Sequence, residues 1–250
     1  MSNSPLAKYT KISPNKTSPR NHKIDTISIH CAVGQFTAKE ILNLSHFIKP
    51  DSKKGSSCNY AVGHDGSIGM GVEEKDRSWC TSSRSNDHRA ITIEVASDTK
   101  HPYKVTTEAY KALIKLLVDI CKRNNIKELK WKADKSLIGQ VSKQNMTVHR
   151  WFANKDCPGD YLYNRHGEIA VEVNKILNSN EKTEPYKVRV DITNLNIRKG
   201  PGTNYAKTGE FTDKGVFTII DEKPGKGSTK GWGKLKSGSG WISLDFATKI

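Results

Sequence analysis

The chain has 250 residues and a formal net charge of +15, from 41 Lys+Arg against 26 Asp+Glu. This length allows one good core plus a small second domain, and the charge makes a polyanion an expected neighbour. No run of about 18 apolar residues occurs, which excludes a membrane-spanning helix. The basic residues are scattered singly, with no Lys/Arg block and no basic recognition helix; this argues against nucleic acid and leaves an anionic wall or membrane surface.

In chain order, Met1-Ser-Asn-Ser-Pro-Leu-Ala-Lys8 contains no apolar segment, so no secretory signal is expected. Thr26–Cys31 alternates Ile27, Ile29 and Cys31 with Ser28 and His30. On a strand this buries the isoleucines on one face and presents His30 on the other. Asn59–Ile68 reads as a strand entering an Asp65-Gly66 turn. Ile91, Ile93 and Val95 alternate with Thr92 and Glu94, a second strand of the same kind. Thr106–Asn124 predicts an amphipathic helix, capped by Thr106 or Thr107, with Ala109, Leu113, Leu116, Leu117 and Ile120 as its apolar stripe. Gly167–Leu177 predicts another helix, with Ile169, Val173, Ile176 and Leu177 inward. Asn178–Pro185 is polar, ends in proline and reads as a linker. Beyond it come short β-rich runs: 188–190, 195–198, 216–220, 232–235 and 240–243. Gly200-Pro-Gly, Pro224-Gly-Lys-Gly and Ser237-Gly-Ser-Gly break them, the pattern of a small barrel. The expected fold class is therefore α/β, a central mixed β-sheet flanked by helices, followed by a small all-β barrel. The expected boundaries are 1–178, a linker at 179–186, and 187–250.

The five cysteines, Cys31, Cys58, Cys80, Cys121 and Cys157, are odd in number and irregularly spaced. That argues against a disulfide framework and for synthesis in a reducing compartment. Cys31, Cys58 and Cys121 read as packing residues, and Cys80 receives no role. The run Thr147–Asp160 carries the chemistry. His149 ends a short apolar stretch, and Cys157 sits in a polar turn closed by Pro158-Gly159. Both are donors that Zn²⁺ prefers. Their spacing is too long for one helix face, so strand and loop must fold back to bring them together. A third donor has to come from elsewhere, and His30 is the best candidate, because it stands on the second face at the end of an apolar strand. A lone strand-end histidine or a lone cysteine is more often an ordinary packing residue. His22, His46, His64, His88, His101 and His166 stay unassigned.

Four pieces, Thr26-Ile-Ser-Ile-His-Cys31, Asn59–Ser67, Ile91-Thr-Ile-Glu94 and Thr147-Val-His-Arg-Trp to Lys155-Asp-Cys-Pro-Gly159, resemble in order the zinc-dependent N-acetylmuramoyl-L-alanine amidases of type 2, relatives of peptidoglycan recognition proteins. The resemblance covers roughly residues 20–178. It implies zinc ligands at His30, His149 and Cys157, the last in a position that is Asp in many relatives. It further implies a tyrosine hydroxyl at Tyr60 near the oxyanion, a lysine beside the oxyanion at Lys155, and a general base at Glu94. Tyr60 is equally readable as a half-buried strand aromatic, Lys155 as a solvated loop residue, and Glu94 as a strand-end charge, although strands disfavour Glu. The sequence leaves open which of Glu94 and Tyr60 moves the proton.

Leu195-Asn-Ile-Arg-Lys-Gly-Pro-Gly-Thr-Asn-Tyr205, with Gly231-Trp-Gly-Lys-Leu and Gly240-Trp-Ile, resembles a bacterial SH3 domain over about residues 185–250. This implies a cell-wall-binding module with Arg198, Tyr205, Trp232 and Trp241 as candidate contacts. The two tryptophans are at least as readable as core, and Tyr205, in a turn, is the better contact. The resemblances together imply a phage- or prophage-endolysin-like amidase whose substrate and anchoring ligand is peptidoglycan. Zinc-activated water would cleave between N-acetylmuramic acid and L-alanine. A monomer is expected, made in the host cytoplasm and acting at the wall after release. The competing reading is a non-catalytic peptidoglycan-binding protein.

Overall fold

A computed structural model describes residues 2–51, 53–179 and 185–250. The chain divides into two compact units, Met1–Leu177 and Asn178–Ile250. In the first, strands β1 (Tyr9–Thr10), β3 (Thr26–Cys31), β4 (Tyr60–Val62), β5 (Ile68–Met70), β7 (Ala90–Val95) and β8 (Met146–Thr147) form one sheet in the order β1-β5-β4-β7-β3-β8. It is mixed: β3 runs parallel to β7 and β8, β4 parallel to β7, and β5 antiparallel to β4. Strands β2 (Lys16–Thr17) and β6 (Arg77–Ser78) make a separate ribbon. The helices are α1 (Ala38–Leu42), α2 (Ser45–Ile48), α3 (Arg84–Arg89), α4 (Thr107–Arg123) and α5 (Gly159–Ser179).

Alternation along the strands decides which face is core. Ile27 and Ile29, Tyr60 and Val62, Ile91, Ile93 and Val95, and Met146 gather with the inward stripes of α4 and α5 into one buried cluster. Each fully buried aliphatic side chain there contributes about 1.5–3 kcal/mol. Helix α4 starts where its cap predicts, with the Thr106 hydroxyl accepting from the Ala109 N–H. The second helix is longer than its pattern suggests, for α5 begins at Gly159 rather than at Gly167. Leu162 and His166 continue its buried stripe back from Ile169 and Val173, and that burial outweighs the modest cost of a glycine in the helix interior. The other face of the sheet carries Ser28, His30, Thr92, Glu94 and Thr147, with Ala61 packed among the residues around α1.

In the second unit, β9 (Tyr186–Val190), β10 (Leu195–Arg198), β11 (Lys207–Thr212), β12 (Gly215–Lys223), β13 (Trp232–Leu235), β14 (Trp241–Ser243) and β15 (Ala247–Lys249) form an antiparallel sheet in the order β11-β10-β14-β13-β12-β9-β15. Val188, Val190, Leu195, Ile197, Ile219, Leu235, Ile242 and Leu244 make a core of its own. The expected β runs are all there, joined by β11 and β15. Of the linker expected at 179–186, Ser179 is the last residue of α5 and Tyr186 the first of β9, and residues 180–184 fall outside the described residues.

Candidate functional site

Parallel register builds the site. His30 is opposite Glu94, and Ser28 is opposite Thr147, so the residue two places past Thr147 arrives beside His30. That residue is His149, and the two imidazole centroids are 5.2 Å apart. Past β8 the chain enters a short turn of 3₁₀ helix, His149–Trp151, and then folds back. The Arg150 N–H donates to the Cys157 carbonyl at 3.0 Å, while the Arg150 guanidinium holds Asp160 (2.9 Å) and the Asp156 carbonyl (2.7 Å). Gly159 ends the loop with φ +76°, and a Cβ there would lie 2.8 Å from the Tyr103 side chain and 2.9 Å from the Pro102 carbonyl. Only glycine fits that turn without strain. The result is a cluster in which one donor atom each of His30, His149 and Cys157 lie within 4.8 Å of one another, with Cys157 Sγ 3.3 Å from His30 Nδ1.

The electrostatics suit a cation. His30 is 1 % exposed, and burial, reinforced by the neighbouring His149 and His166, holds its imidazole well below the usual histidine range. Burial and Lys155 lower His149 as well. Both rings are therefore neutral, the form a metal ligand needs. The hydroxyl of Ser28 lies 3.3 Å from His30 Nε2 and leaves Nδ1 facing the cluster. Burial pushes the Cys157 thiol up; a dication is the charge that would reverse this. Two neutral imidazoles and a sulfur form a donor set of the kind found in three-ligand zinc sites.

Around this cluster stand Glu94 and Lys155, two of the expected site residues, together with Cys80 and Ser82, for which the sequence offered no role. Glu94 Oε1 is 3.9 Å from His30 Nδ1 and accepts from Cys80 Sγ at 3.7 Å. Its Oε2 is buried without a hydrogen-bond partner, and burial pushes the carboxyl up to about 8. His30, Cys80 and Glu94 thus make a second convergent donor group that shares one histidine with the first. Ser82, a non-glycine residue at φ +63°, places its hydroxyl 3.0 Å from His149 Nε2. Residues held in that sparsely populated region are frequent at functional sites. Lys155 lines a cleft of about 590 Å³ together with His149, Cys80 and Ser82.

Tyr60 is not brought to the cluster, which corrects the sequence expectation. Its partner in β7 is Ile93, whereas Glu94 faces Ala61, so the ring lies in the hydrophobic core on the opposite face of the sheet. Its hydroxyl donates to Glu74 Oε1 at 2.6 Å and accepts from the Ser4 N–H at 2.8 Å. Burial and Glu74 raise its ionisation far out of reach. In the second unit, Trp232 is 3 % exposed and belongs to the interior, a correction to its reading as a surface contact; a small barrel needs large apolar residues inside. Trp241 is buried likewise. The Arg198 guanidinium lies 6.0 Å from the Trp232 ring and donates to the carbonyls of Thr203 and Tyr205, so it ties down the turn that carries Tyr205. Tyr205 itself is 44 % exposed.

Residues 20–160 match the N-acetylmuramoyl-L-alanine amidase family. Among solved structures, the chain is similar to PlyL (16 % identity over 66 % of this chain and 95 % of that one, TM-score 0.48). It is similar also to a selenomethionine derivative of AmpD (18 %, 67 % and 96 %, 0.48) and to a mutant endolysin from Bacillus subtilis (16 %, 66 % and 97 %, 0.48). No curated protein matches it. At these scores the structural likenesses carry no weight of their own; the family match, which spans more than half of the sequence, does: the chain belongs to the N-acetylmuramoyl-L-alanine amidase family.

Proposed function

We propose that the protein is a zinc-dependent peptidoglycan hydrolase that cleaves the amide between N-acetylmuramic acid and L-alanine. The observation that carries this reading is the convergence of His30, His149 and Cys157 within 4.8 Å on the polar face of the sheet. These three side chains would hold the metal, which when bound supplies Lewis acidity to a water and to the scissile carbonyl. Glu94, with one oxygen turned toward His30 and the other without a partner, in its carboxylate form takes a proton from the attacking water and returns it to the leaving alanine nitrogen. Lys155, in the cleft with His149, brings an ammonium to the developing oxyanion. Tyr60, in the core, has no part in these steps.

Residues 1–178 are the catalytic domain in this reading, and 187–250 an SH3-like domain that holds the enzyme on the wall through Tyr205, presented by the Arg198-bound turn. The five cysteines are all free, in keeping with a monomer made in a reducing host cytoplasm and released at lysis, as an endolysin is. Mass spectrometry of digested peptidoglycan tests the chemistry. New N-terminal L-alanine is expected, and new reducing sugar ends would instead indicate a glycosidase. Wall binding without either product would leave a peptidoglycan-binding protein. Purified protein should carry about one zinc per chain, and a metal-free sample with full activity would overturn the assignment of the three ligands.

A further inference from the structure

All five cysteines carry free thiols. Cys58 and Cys80 pack in the hydrophobic cluster around α1, and Cys121 faces the main core from α4. Cys31 is buried too, at 7 % exposure, yet it belongs to neither cluster. It ends β3, directly after His30. Its thiol is in hydrogen-bonding contact with the thiol of Cys157. The charges that act on it are those of Arg150 and Asp156, on the loop that carries Cys157. The Cys157 Sγ in turn lies 3.3 Å from His30 Nδ1. The three donors of the cluster converge without Cys31, so neither apolar packing nor metal ligation accounts for it. Two thiols in contact are the arrangement from which a disulfide forms, by side-chain rotation and a small movement of the 157–159 turn. Cys157 is the more open of the two, being half-buried.

We infer that Cys31 and Cys157 are a thiol pair that closes to a disulfide under oxidising conditions and, in closing, takes Cys157 out of the donor cluster. The inference rests on the reading of Cys157 as a metal ligand given above. The co-reactant is a small-molecule disulfide. The Cys157 sulfur attacks one of its sulfur atoms, and the first small thiol leaves. Cys31 then attacks the Cys157 sulfur of this mixed disulfide, forms the S–S bond and expels the second small thiol. The protein gives up two electrons, and the small disulfide is reduced by them. In the metal-free chain the two protein thiols supply the protons that the leaving thiols take up. Where Cys157 begins as a metal-bound thiolate, solvent supplies one of those protons and the dication departs. A disulfide sulfur has no thiolate charge to offer a metal, so His30 and His149 are left as two donors where a catalytic site needs three. A protein made in a reducing compartment and acting outside it passes into the conditions in which such a pair oxidises. The pair then limits how long the released enzyme keeps its metal.

The test uses the full chain, freed of metal with a chelator, and oxidised glutathione; the smaller hydroxyethyl disulfide serves as a second oxidant. Free thiols are counted, and linked peptides are identified by mass spectrometry. Two of the five thiols should disappear, with Cys31 joined to Cys157. Reduced and oxidised chains are then titrated with zinc by calorimetry. Loss of a ligand should exceed the effect of losing an outer-shell partner, so the oxidised chain should bind at least about 100-fold more weakly. Dithiothreitol should restore both the thiols and the affinity. Cys31→Ser keeps the three donors and, when reduced, should bind zinc as the parent does. Under oxidant its Cys157 can go no further than the mixed disulfide, so the glutathione adduct should persist there. Cys31→Ala is the alternative if the serine variant melts early. Retention of all five thiols, a disulfide between other cysteines such as Cys58 and Cys80, or equal and measurable zinc affinity in the reduced and oxidised chains would overturn the pair. A Cys31–Cys157 disulfide in a chain that takes up no zinc even when reduced would count against the metal reading and leave the thiol pair standing. Zinc uptake with no such disulfide would do the reverse.

Discussion

Two buried polar side chains show how differently the same fold uses them. The Tyr60 hydroxyl satisfies Glu74, a carboxylate that also pairs with Arg123 at 2.6 Å. Tyr60→Phe should therefore cost about 1.5–3 kcal/mol of stability, the usual loss of a hydrogen bond to a charged group, and leave turnover unaltered. Chemical denaturation with a parallel activity assay checks this; lost turnover at full stability would return Tyr60 to the reaction. His166 is buried, with Nδ1–H donating to the Leu162 carbonyl at 2.7 Å and Nε2 unpartnered. Burial lowers its pKa from 6.5 to about 4. Below 6.5 the unfolded chain takes up a proton that the folded chain refuses, so this contribution to stability is complete above that pH and is lost as pH falls from 6.5 to about 4, by up to about 3 kcal/mol. His30 slopes in the same direction, so the comparison is between the protein and His166→Gln. The variant should show a flatter fall of stability over that window, and an identical slope would rule His166 out as a source.

At the scale of elements, what could be read from the sequence was what repeats. The alternation of Ile27, Ile29, Ile91 and Ile93 with His30 and Glu94 gives both the strands and their faces, and parallel pairing then sets His149 beside His30. Tyr60-Ala-Val defeats that reasoning: like Thr26–Cys31 it is buried throughout, but it has no polar residue alternating with its apolar ones to say which side chain faces which layer. Ser82 and Ser28 escaped because their types mark no chemistry, and Cys80 because nothing beside it in sequence distinguishes it from a packing cysteine; only the tertiary fold brings them to the cluster, and the strained φ of Ser82 is visible in coordinates alone. The start of α5 was hidden by Gly167, which looks like a boundary and is interior. The true boundary, Gly159, is also the joint between helix and site. Gly159→Ala forces a Cβ into Tyr103 and the Pro102 carbonyl at a φ that costs an L-residue about 1–2 kcal/mol before any clash. Relief by movement of the 157–159 turn would displace Cys157. The expected outcome is a lower melting temperature together with reduced zinc content; a fall in melting temperature with zinc fully retained would show that the turn and the donor cluster are uncoupled.

For the whole molecule, the two units each close a hydrophobic core of their own, the condition for independent folding, and both carry net positive charge. The donor cluster and the cleft beside it belong entirely to the first unit, while exposed Tyr205 and its Arg198-bound turn belong to the second. Chemistry and retention on the wall should therefore separate. Removing residues 178–250 should leave the melting transition of the first unit unchanged and its turnover of soluble muropeptides within about twofold, since the first unit closes its own core. Pelleting with insoluble wall should weaken by far more, because the remaining attraction is a general positive charge that salt screens over roughly 10 Å at about 0.1 M. The signature is a salt series. The full chain should stay wall-bound at salt concentrations that release the truncated one, since aromatic contact at Tyr205 is less screened than charge. Release of both forms at the same salt concentration would mean that charge alone holds the protein on the wall and that the second unit adds no specific contact.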